Sequence, residues 1–442
     1  MKKILIFGAG RIARPCAKYF LKYPDYNVII VDKDSQNVNR VVNGHTKGTA
    51  IVQDAVSGAE KLINQIKPDV IINLLPKQFM VYIAKLCIKY QVPMVNPSYI
   101  DEEMRSLDDS ACKAGVLLLC ELGLDPGIDH MSAARTIKMI HNKDGLVESF
   151  WSCCGAFPSL QANTNPFGYK LSWAPSGLVG ASKREARFLR NGKEVVLPPG
   201  ESFRYTNFIH IRDLGWFEEY ANANSLPYIK LYNIPEAKNV YRGTIRYIGW
   251  SETIRKMLDM GLFEEDYWEL EKFSYKEFTR RLIGAPKGCD IEEALRKFLN
   301  LESYAAVIHR IKWLGLLSDE YISLKKGSPR DVILHLFLEK LNYKKGEQDL
   351  VIMEHRYVAF FSKNQKRVRY TSTLIDYGIP DNDSSVARTT GIPPAIGAKL
   401  ILQGKVTAIG VQAPVLPEIY NPCLDELEKE GILFKEREEL LS

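Results

Sequence analysis

Residues 4–13 read ILIFGAGRIA, an apolar strand that runs directly into a glycine-rich loop and the start of a helix. Gly8, Gly10 and Ala13 fit the pattern G-x-G-x-x-G/A, in which the first glycine permits a sharp turn and the second lets the backbone approach a pyrophosphate. Small Ala13 lets helix and strand pack closely, and free amides at the helix start attract phosphate. The segment predicts a dinucleotide-binding domain; the alternative is a tight turn in another α/β protein.

The first third of the chain alternates short apolar strands with helical patterns. The later strands are predicted at 28–31, 70–75, 94–96 and 116–120, with helices at 12–22, 79–90 and 102–114. Alternation with short loops predicts a parallel sheet covered on both faces.

The pattern changes after residue 147. Strands are predicted at 148–154, 241–250, 350–361 and 368–376, and helices at 253–262, 275–282, 291–299, 331–341 and 390–403, the last beginning at Gly391-Ile392-Pro393-Pro394. Longer, more separate strands favour an antiparallel or mixed sheet, with a helical stretch inserted in it.

The amino-acid composition limits the classes of function to be considered. The 442 residues suffice for two or three domains, and 46% apolar with 25% charged residues is ordinary for a soluble globular protein. The net charge of +6 is spread along the chain, and the densest basic run, 363–367, reads as a hairpin turn, so no nucleic-acid partner is expected. The eight cysteines form no C-x-x-C pair, which predicts reduced thiols in a cytoplasmic protein without a metal site. We expect neither a signal peptide nor a membrane span.

Asp32 ends the second predicted strand, about twenty residues after the glycine loop. A carboxylate there accepts hydrogen bonds from both ribose hydroxyls and repels a 2′-phosphate, which favours NAD over NADP. Lys33 offsets part of that repulsion, so NADP stays open, and the alternative role for Asp32 is to cap a helix near Ser35. The other residues expected at the dinucleotide site are Ala9, Arg11, Ile12, Lys33, Asp54, Leu75 and Pro76.

Three strand ends carry residues capable of chemistry. They are LLPKQ at 74–78, NPSY at 96–99 and ELGLD at 121–125. Ligands of a doubly wound sheet bind beyond the carboxyl ends of its strands, so these loops should line one cleft. The acidic residues at 121–129 therefore belong either to a reaction centre or to a turn followed by a helix cap.

Several longer strings resemble the saccharopine dehydrogenase family, and nearest to them is its glutamate-forming branch, saccharopine reductase. They occur in order over nearly the whole chain: ELGLDPGIDH at 121–130, CGAFP at 154–158, NPFGYKLSW at 165–173, YNIPEA at 232–237, RGTIRY at 242–247 and TSTL at 371–374.

The resemblance implies an NAD(P)-dependent oxidoreductase of lysine metabolism that acts on CH–NH donors. Saccharopine is oxidised to an imine that water splits into glutamate and 2-aminoadipate semialdehyde, or the reverse condensation occurs. The implied α/β architecture is a Rossmann dinucleotide-binding domain, a mixed α/β substrate domain and a small inserted helical domain. We assign these to 1–125 with 385–442, to 126–255 with 346–384, and to 256–345. A homodimer with an amino-acid-derived substrate is expected.

The resemblance also implies site residues. Those that match substrate-contacting positions are Ser98, Tyr99, Asp125, Thr244, Ile245 and Arg246, and Cys154 matches a position close to the substrate. Arg246 can hold a carboxylate bidentately, and Asp125 or Tyr99 can exchange protons with the amine or the attacking water. We take Asp125, Tyr99 and Cys154 as the catalytic candidates. The alternatives are a structural ion pair for Arg246 and a pocket-shaping role for Cys154.

Two departures from the family pattern bear on the substrate and cofactor. Ala223 and Asn224 stand where the glutamate-forming enzymes have Arg and Asp, so a carboxylate-binding arginine is missing unless Arg204, Arg212 or Lys230 replaces it. Met80 stands where relatives often have His. A carboxynorspermidine-type dehydrogenase, whose diamine lacks that carboxylate, is therefore one alternative. A non-catalytic dinucleotide-binding sensor is the other.

Overall fold

The strand that precedes the glycine loop, Lys2–Phe7, lies inside a seven-stranded parallel sheet of the computed structural model, which describes residues 1–173 and 175–441. In spatial order the strands are Gly410–Gln412, Leu117–Leu119, Met94–Val95, Val70–Asn73, Lys2–Phe7, Tyr26–Asp32 and Gly48–Val52. Every neighbouring pair runs parallel. The order reverses beside the first strand, as in a Rossmann fold. The predicted fold class is confirmed.

Helices cover this sheet because its strands are apolar on both faces; residues 4–7, for example, are fully buried. The α-helices of this part of the chain are Ala13–Leu21, Ser35–Val42, Ala59–Ile66, Met80–Lys89, Glu102–Arg105, Asp108–Ala114, Ile128–Asn142, Ser385–Leu402 and Pro417–Lys429. The predicted helix at 102–114 is therefore two helices, because the Ser106 hydroxyl and the Leu107 amide bond back to the carbonyls of Glu103 and Met104 and tighten the turn.

The last long helix begins earlier than predicted. Ser384 caps it by accepting a hydrogen bond from the Ala387 amide, and Pro393 and Pro394 lie inside it. The prediction that the prolines mark its start is wrong. The cap at Ser384 sets the start of this helix before the prolines, and its Gly391 lies directly against the start of the first helix, where a Cβ would come within 2.2 Å of the Ile12 carbonyl oxygen.

The residues divide into two units. The first unit contains Met1–Val147, Leu231–Ile234 and the chain from His355 onward; the second contains Glu148–Lys230 and Pro235–Glu354. Besides the parallel sheet, the first unit contains the antiparallel pair Lys366–Tyr377 and Phe434–Leu441. The domain boundaries proposed from the sequence stay predictions, and Ser442 lies outside the described residues.

The second unit is built on a mixed sheet. The strands in spatial order are Asn207–Ile211, Gly215–Ala221, Asn239–Arg246, Gly145–Pro158 and Asp349–Phe361, with the hairpin Ala186–Arg190 and Lys193–Leu197 beside them. Of the strands Gly145–Pro158 and Asp349–Phe361, this unit contains residues 148–158 and 349–354. Its remaining helices are Pro175–Ser182, Pro227–Leu231, Trp250–Asp259, Tyr275–Leu282, Ile291–Phe298, Ala306–Leu314 and Pro329–Lys340. The pair Asn239–Arg246 and Gly145–Pro158 is parallel, whereas Gly215–Ala221 pairs antiparallel.

One strand of this unit ends sooner than predicted. The strand expected at 241–250 ends at Arg246, because the carboxylate of Glu218 accepts hydrogen bonds from the amides of Gly249 and Ser251 at 2.7 and 2.5 Å. These contacts start the helix Trp250–Asp259. Within the described residues, no helix is long and apolar enough to span a membrane.

Candidate active site

The glycine loop has the geometry that its sequence predicts. Gly8 has φ +96°, and a Cβ there would lie 3.0 Å from the carbonyl of Leu74, so only glycine fits. A Cβ on Gly10 would meet no atom within 4 Å, which leaves open space above the loop for a phosphate. Ala13 is fully buried under the loop. The loop contacts Leu74 and Leu75 at the point where the strand order reverses.

Asp32 supports the loop from below. Its Oδ2 accepts a hydrogen bond from the Ala9 amide at 2.7 Å, and its Oδ1 accepts one from the Asp34 amide at 2.9 Å. The helix Ser35–Val42 is capped by Asp34, not by Asp32, so the alternative capping role for Asp32 is wrong. Both carboxylate oxygens thus accept hydrogen bonds from backbone amides, which gives Asp32 a structural role independent of any ribose.

Lys33 and Asp54 lie at the ends of the neighbouring strands. The Lys33 side chain is exposed, and so is Arg11 in the glycine loop. Asp54 accepts hydrogen bonds from the Val56 and Ser57 amides at 3.0 and 2.8 Å. The bonds from Ser57 above all, with a smaller effect of Lys33, hold the pKa of the Asp54 carboxyl below its usual value. The cation Lys33 therefore lies near the Asp54 carboxylate, which already accepts hydrogen bonds from the backbone.

The sharp turn after the strand Leu117–Leu119 presents Asp125. The amide of Gly123 donates to the Pro126 carbonyl at 2.8 Å, and the Ile128 amide donates back to Gly123 at 2.9 Å. Gly127 has φ +145°, and a Cβ there would collide with Gly123 at 2.1 Å. The glycines of this stretch are thus required by a turn too tight for any other residue.

The acids around this turn have different partners. Asp125 Oδ1 accepts a hydrogen bond from the Tyr99 hydroxyl at 3.0 Å, whereas Asp129 Oδ1 accepts one from the Gly127 amide at 2.6 Å. Glu121 Oε1 accepts one from the Ile100 amide at 2.8 Å. Asp129 and one oxygen of Glu121 therefore accept backbone amides, whereas Asp125 accepts the phenol of Tyr99 from the adjacent strand end.

Ser98 belongs to the same loop as Tyr99. Its amide donates to Asn96 Oδ1 at 2.9 Å, and its carbonyl accepts from the Glu121 amide at 3.0 Å. These bonds join the loops that follow two neighbouring strands. In the first unit, Ser98, Tyr99 and Asp125 thus come together as predicted.

The other predicted residues lie in the second unit. Cys154 and Thr244 are register partners on the parallel strands Gly145–Pro158 and Asn239–Arg246. Cys154 is half-buried, whereas Cys153 is fully buried with its Sγ 3.6 Å from Glu219, as expected for consecutive strand residues that point to opposite faces of the sheet. Ile245 is fully buried.

Arg246 is a buried cation in an aromatic cage. The residue is 5% exposed, and its guanidinium lies 5.2 Å from the ring centre of Tyr169 and 5.7 Å from that of Trp250. Its Nη1 donates to the Ile245 carbonyl at 2.8 Å, while its Nε has no hydrogen-bond partner among the described residues. The alternative of a structural ion pair is not observed in the described chain. A buried guanidinium without a carboxylate partner favours binding of an anion.

The three cations named as possible replacements for the missing arginine are exposed or paired. Ala223 lies in a left-handed turn with φ +51°. Arg204 is paired with Glu201 at 2.6 Å, and both Arg212 and Lys230 are exposed. Met80 is buried in the core at the start of its helix. The difference from the His that relatives often have there therefore affects core packing.

Arg242 is a buried cation near this region that sequence reasoning missed. Its Nη1 donates to the Tyr228 hydroxyl at 2.6 Å, and its guanidinium lies 4.6 Å from the centre of that ring. The string RGTIRY contains it, but nothing in that string distinguishes it from Arg246.

The Rossmann sheet, the open glycine loop and the Tyr99–Asp125 pair at its carboxyl edge define a class: an oxidoreductase that uses a nicotinamide dinucleotide. Comparison with known proteins narrows this class. The family model for the saccharopine dehydrogenase NADP binding domain matches residues 4–119, and the model for the saccharopine dehydrogenase C-terminal domain matches residues 123–432. The chain belongs to the saccharopine dehydrogenase family.

Individual relatives agree. The saccharopine dehydrogenases [NADP(+), L-glutamate-forming] of Schizosaccharomyces pombe and Saccharomyces cerevisiae are 32% and 31% identical to this chain, over 99% of both chains in each case. The alpha-aminoadipic semialdehyde synthase of Bos taurus is 32% identical over 98% of this chain and 47% of its own length. The solved apo structure of the L-Glu-forming saccharopine dehydrogenase from Saccharomyces cerevisiae matches with a TM-score of 0.91 and 31% identity, over 99% of this chain and 100% of the other.

These findings confirm the predicted family. They do not support the preference for NAD that the sequence suggested, because the matched model and the fungal relatives are named for NADP. The Asp32 carboxylate accepts hydrogen bonds from the Ala9 and Asp34 amides, so its presence at this position does not by itself indicate NAD. The roles of the individual site residues stay predictions.

Proposed function

We propose that this chain is an NADP-dependent saccharopine dehydrogenase that oxidises the secondary amine of saccharopine to release L-glutamate and 2-aminoadipate semialdehyde, or runs the reverse condensation. The observation that carries the proposal is the likeness to fungal enzymes of that name over 99% of both chains. The buried Arg246, which suits an acidic substrate, supports it.

The glycine loop suits the pyrophosphate of the dinucleotide. The amides of residues 9–12 are the proposed donors, with Gly8 shaping the turn and Gly10 leaving room. Lys33 and Arg11 are the cations that we assign to the 2′-phosphate, and Asp54, Leu75 and Pro76 to the rim of the site. Bound NADP supplies the hydride acceptor for the amine carbon.

Tyr99 and Asp125 are the proposed proton-transfer pair. A carboxylate hydrogen-bonded to a phenol can take the proton of the secondary amine and later assist the water that attacks the imine carbon. Water adds to that carbon, and the C–N bond then breaks to leave amine and aldehyde. Ser98, Thr244 and Ile245 are proposed to orient the substrate, Arg246 to hold a carboxylate, and Cys154 to act near the reacting carbon.

A carboxynorspermidine-type dehydrogenase is a second candidate. The observation that favours it is Ala223, together with the exposed or paired state of the neighbouring cations Arg204, Arg212 and Lys230. A diamine has no carboxylate to place there. This alternative keeps the same dinucleotide site and the same proton-transfer pair.

A spectrophotometric assay separates these functions. Nicotinamide absorbance is followed with saccharopine, with carboxynorspermidine and with no amine, each with NAD and with NADP. We expect turnover with saccharopine and NADP, and release of glutamate in equal amount. Turnover with carboxynorspermidine alone would establish the second candidate. Cofactor binding without turnover of either amine would favour a sensor.

We further propose that the protein works in lysine metabolism as a cytoplasmic homodimer. The family membership supports this proposal. Sedimentation equilibrium tests the dimer, since a monomer mass at working concentration would contradict it.

A further inference from the structure

A buried cluster of Glu121, His130 and Tyr232 contacts the loops that carry Tyr99 and Asp125. His130 Nε2 lies 2.9 Å from Glu121 Oε2, and His130 Nδ1 is hydrogen-bonded to the Tyr232 hydroxyl at 2.7 Å. All three residues are buried, and the imidazole is fully so. Polar groups in a core cost solvation energy that their mutual contacts must offset.

Glu121 holds the backbone on both sides of Tyr99. Its amide donates to the Ser98 carbonyl at 3.0 Å, and its Oε1 accepts from the Ile100 amide at 2.8 Å. Glu121 itself has φ +57°, a left-handed conformation that is unfavourable for a residue with a side chain. This backbone directs one carboxylate oxygen to the Tyr99 loop and the other to His130.

His130 links that loop to the turn that carries Asp125. It lies in the first turn of the helix Ile128–Asn142, which begins directly after residues 125–127. The helix start is held in place by the bond from Gly127 to Asp129. A shift of His130 would therefore move both the loop that carries Tyr99 and the turn that carries Asp125.

We infer that Glu121, His130 and Tyr232 position the Tyr99–Asp125 pair for proton transfer, with His130 acting through Glu121. A neutral imidazole that accepts the Tyr232 hydroxyl at Nδ1 carries its proton on Nε2, the nitrogen that lies 2.9 Å from Glu121 Oε2. In this arrangement Tyr232 selects the tautomer, and the tautomer places an N–H group beside the Glu121 carboxylate. The inference rests on the proposed function, which supplies the proton-transfer step.

Two substitutions at His130 separate its two contacts. The amide of Asn reaches the position of Nδ1, whereas the amide of Gln reaches that of Nε2. We expect His130→Asn to lower kcat on the order of tenfold with an unchanged KM for NADP, because misplaced catalytic groups slow chemistry without affecting remote binding. His130→Gln should keep most of the wild-type kcat, since it retains a donor toward Glu121. His141→Asn, on the same helix, is the matched control and should behave as wild type.

A second readout needs no turnover. The NMR signal of isotope-labelled tyrosine, assigned to Tyr99 by its loss in Tyr99→Phe, should move in His130→Asn and stay in place in His130→Gln. If wild-type enzyme does not turn over saccharopine but the signal moves in this way, the proposed function fails and the positioning role stands. The inference is overturned if His130→Asn and His130→Gln have equal kcat values and the Tyr99 signal moves in neither variant. If His130→Asn does not fold, Tyr232→Phe decides, because it removes one hydroxyl: unchanged kcat and signal there contradict the positioning role.

Discussion

The hydroxyl of Tyr99 donates a 3.0 Å hydrogen bond to Oδ1 of Asp125, although the two residues follow different strands of the parallel sheet. Their loops are joined by the bonds of Glu121 to Ser98 and Ile100. This phenol–carboxylate pair lies at the carboxyl edge of the Rossmann sheet, which is where ligands bind in this fold.

Replacing Asp125 by Asn should lower kcat on the order of a hundredfold, because the amide keeps a hydrogen bond to Tyr99 but cannot accept a proton. The KM for NADP should not change. Steady-state kinetics with saccharopine measure both constants. Tyr82→Phe, an exposed tyrosine of the same unit, serves as control. Turnover at the wild-type rate in Asp125→Asn would remove the proton-transfer role.

Replacing Arg246 by Ala should raise the KM for saccharopine on the order of a hundredfold, because a buried charge–carboxylate contact is worth several kcal/mol. Arg246→Lys should recover only part of the loss, since an ammonium lacks the planar two-point geometry of a guanidinium. Arg212→Ala tests the exposed alternative and should leave KM unchanged. A strong effect at Arg212 with none at Arg246 would reverse the assignment.

Replacing Lys33 by Gln should raise the KM for NADP by about tenfold and leave that for NAD nearly unchanged, because only NADP carries the 2′-phosphate. Asp32→Ala provides the comparison. It removes the bond to the Ala9 amide, so it should weaken both dinucleotides to a similar extent. Loss of NAD binding alone in Asp32→Ala would instead assign that carboxylate to the ribose.

Glu426 should make a pH-dependent contribution to stability. Burial by itself raises the pKa of Glu426, but hydrogen bonds from Lys399 and Tyr19, both at 2.8 Å, outweigh it and lower the pKa to about 2. A carboxyl with a folded pKa below its unfolded value of 4.5 stabilises the protein above that pH, and this stabilisation is lost as the pH falls toward about 2.

The corresponding variant is Glu426→Gln. It should lower the free energy of unfolding by on the order of 2 kcal/mol at neutral pH, and the difference from wild type should shrink in acid. Urea denaturation at several pH values measures it. Glu428→Gln, an exposed neighbour on the same helix, should have little effect. A penalty for Glu426→Gln that is independent of pH would contradict the ion-pair explanation.

The glycine loop and the strand–helix alternation were predictable because both are local. The turn at Gly8, the close packing at Ala13 and the apolar strands each depend on a few consecutive residues, and the observed sheet agrees with them. The family strings identified the family for the same reason. Helix boundaries were less predictable: Pro393 and Pro394 predict a helix start, yet the helix begins at the Ser384 cap and contains both prolines.

The sequence by itself determined the Rossmann class, the dinucleotide site and the candidate residues at the strand ends. Only the tertiary structure decided that Asp32 holds the Ala9 amide, that Arg246 is buried without an ion pair in the described chain, and that His130 meets Tyr232 across 102 residues of sequence. The physical reason is that a side chain's charge partner and hydrogen bonds are set by the residues that surround it in space. Those residues come from distant segments, and no local pattern encodes which of them will meet.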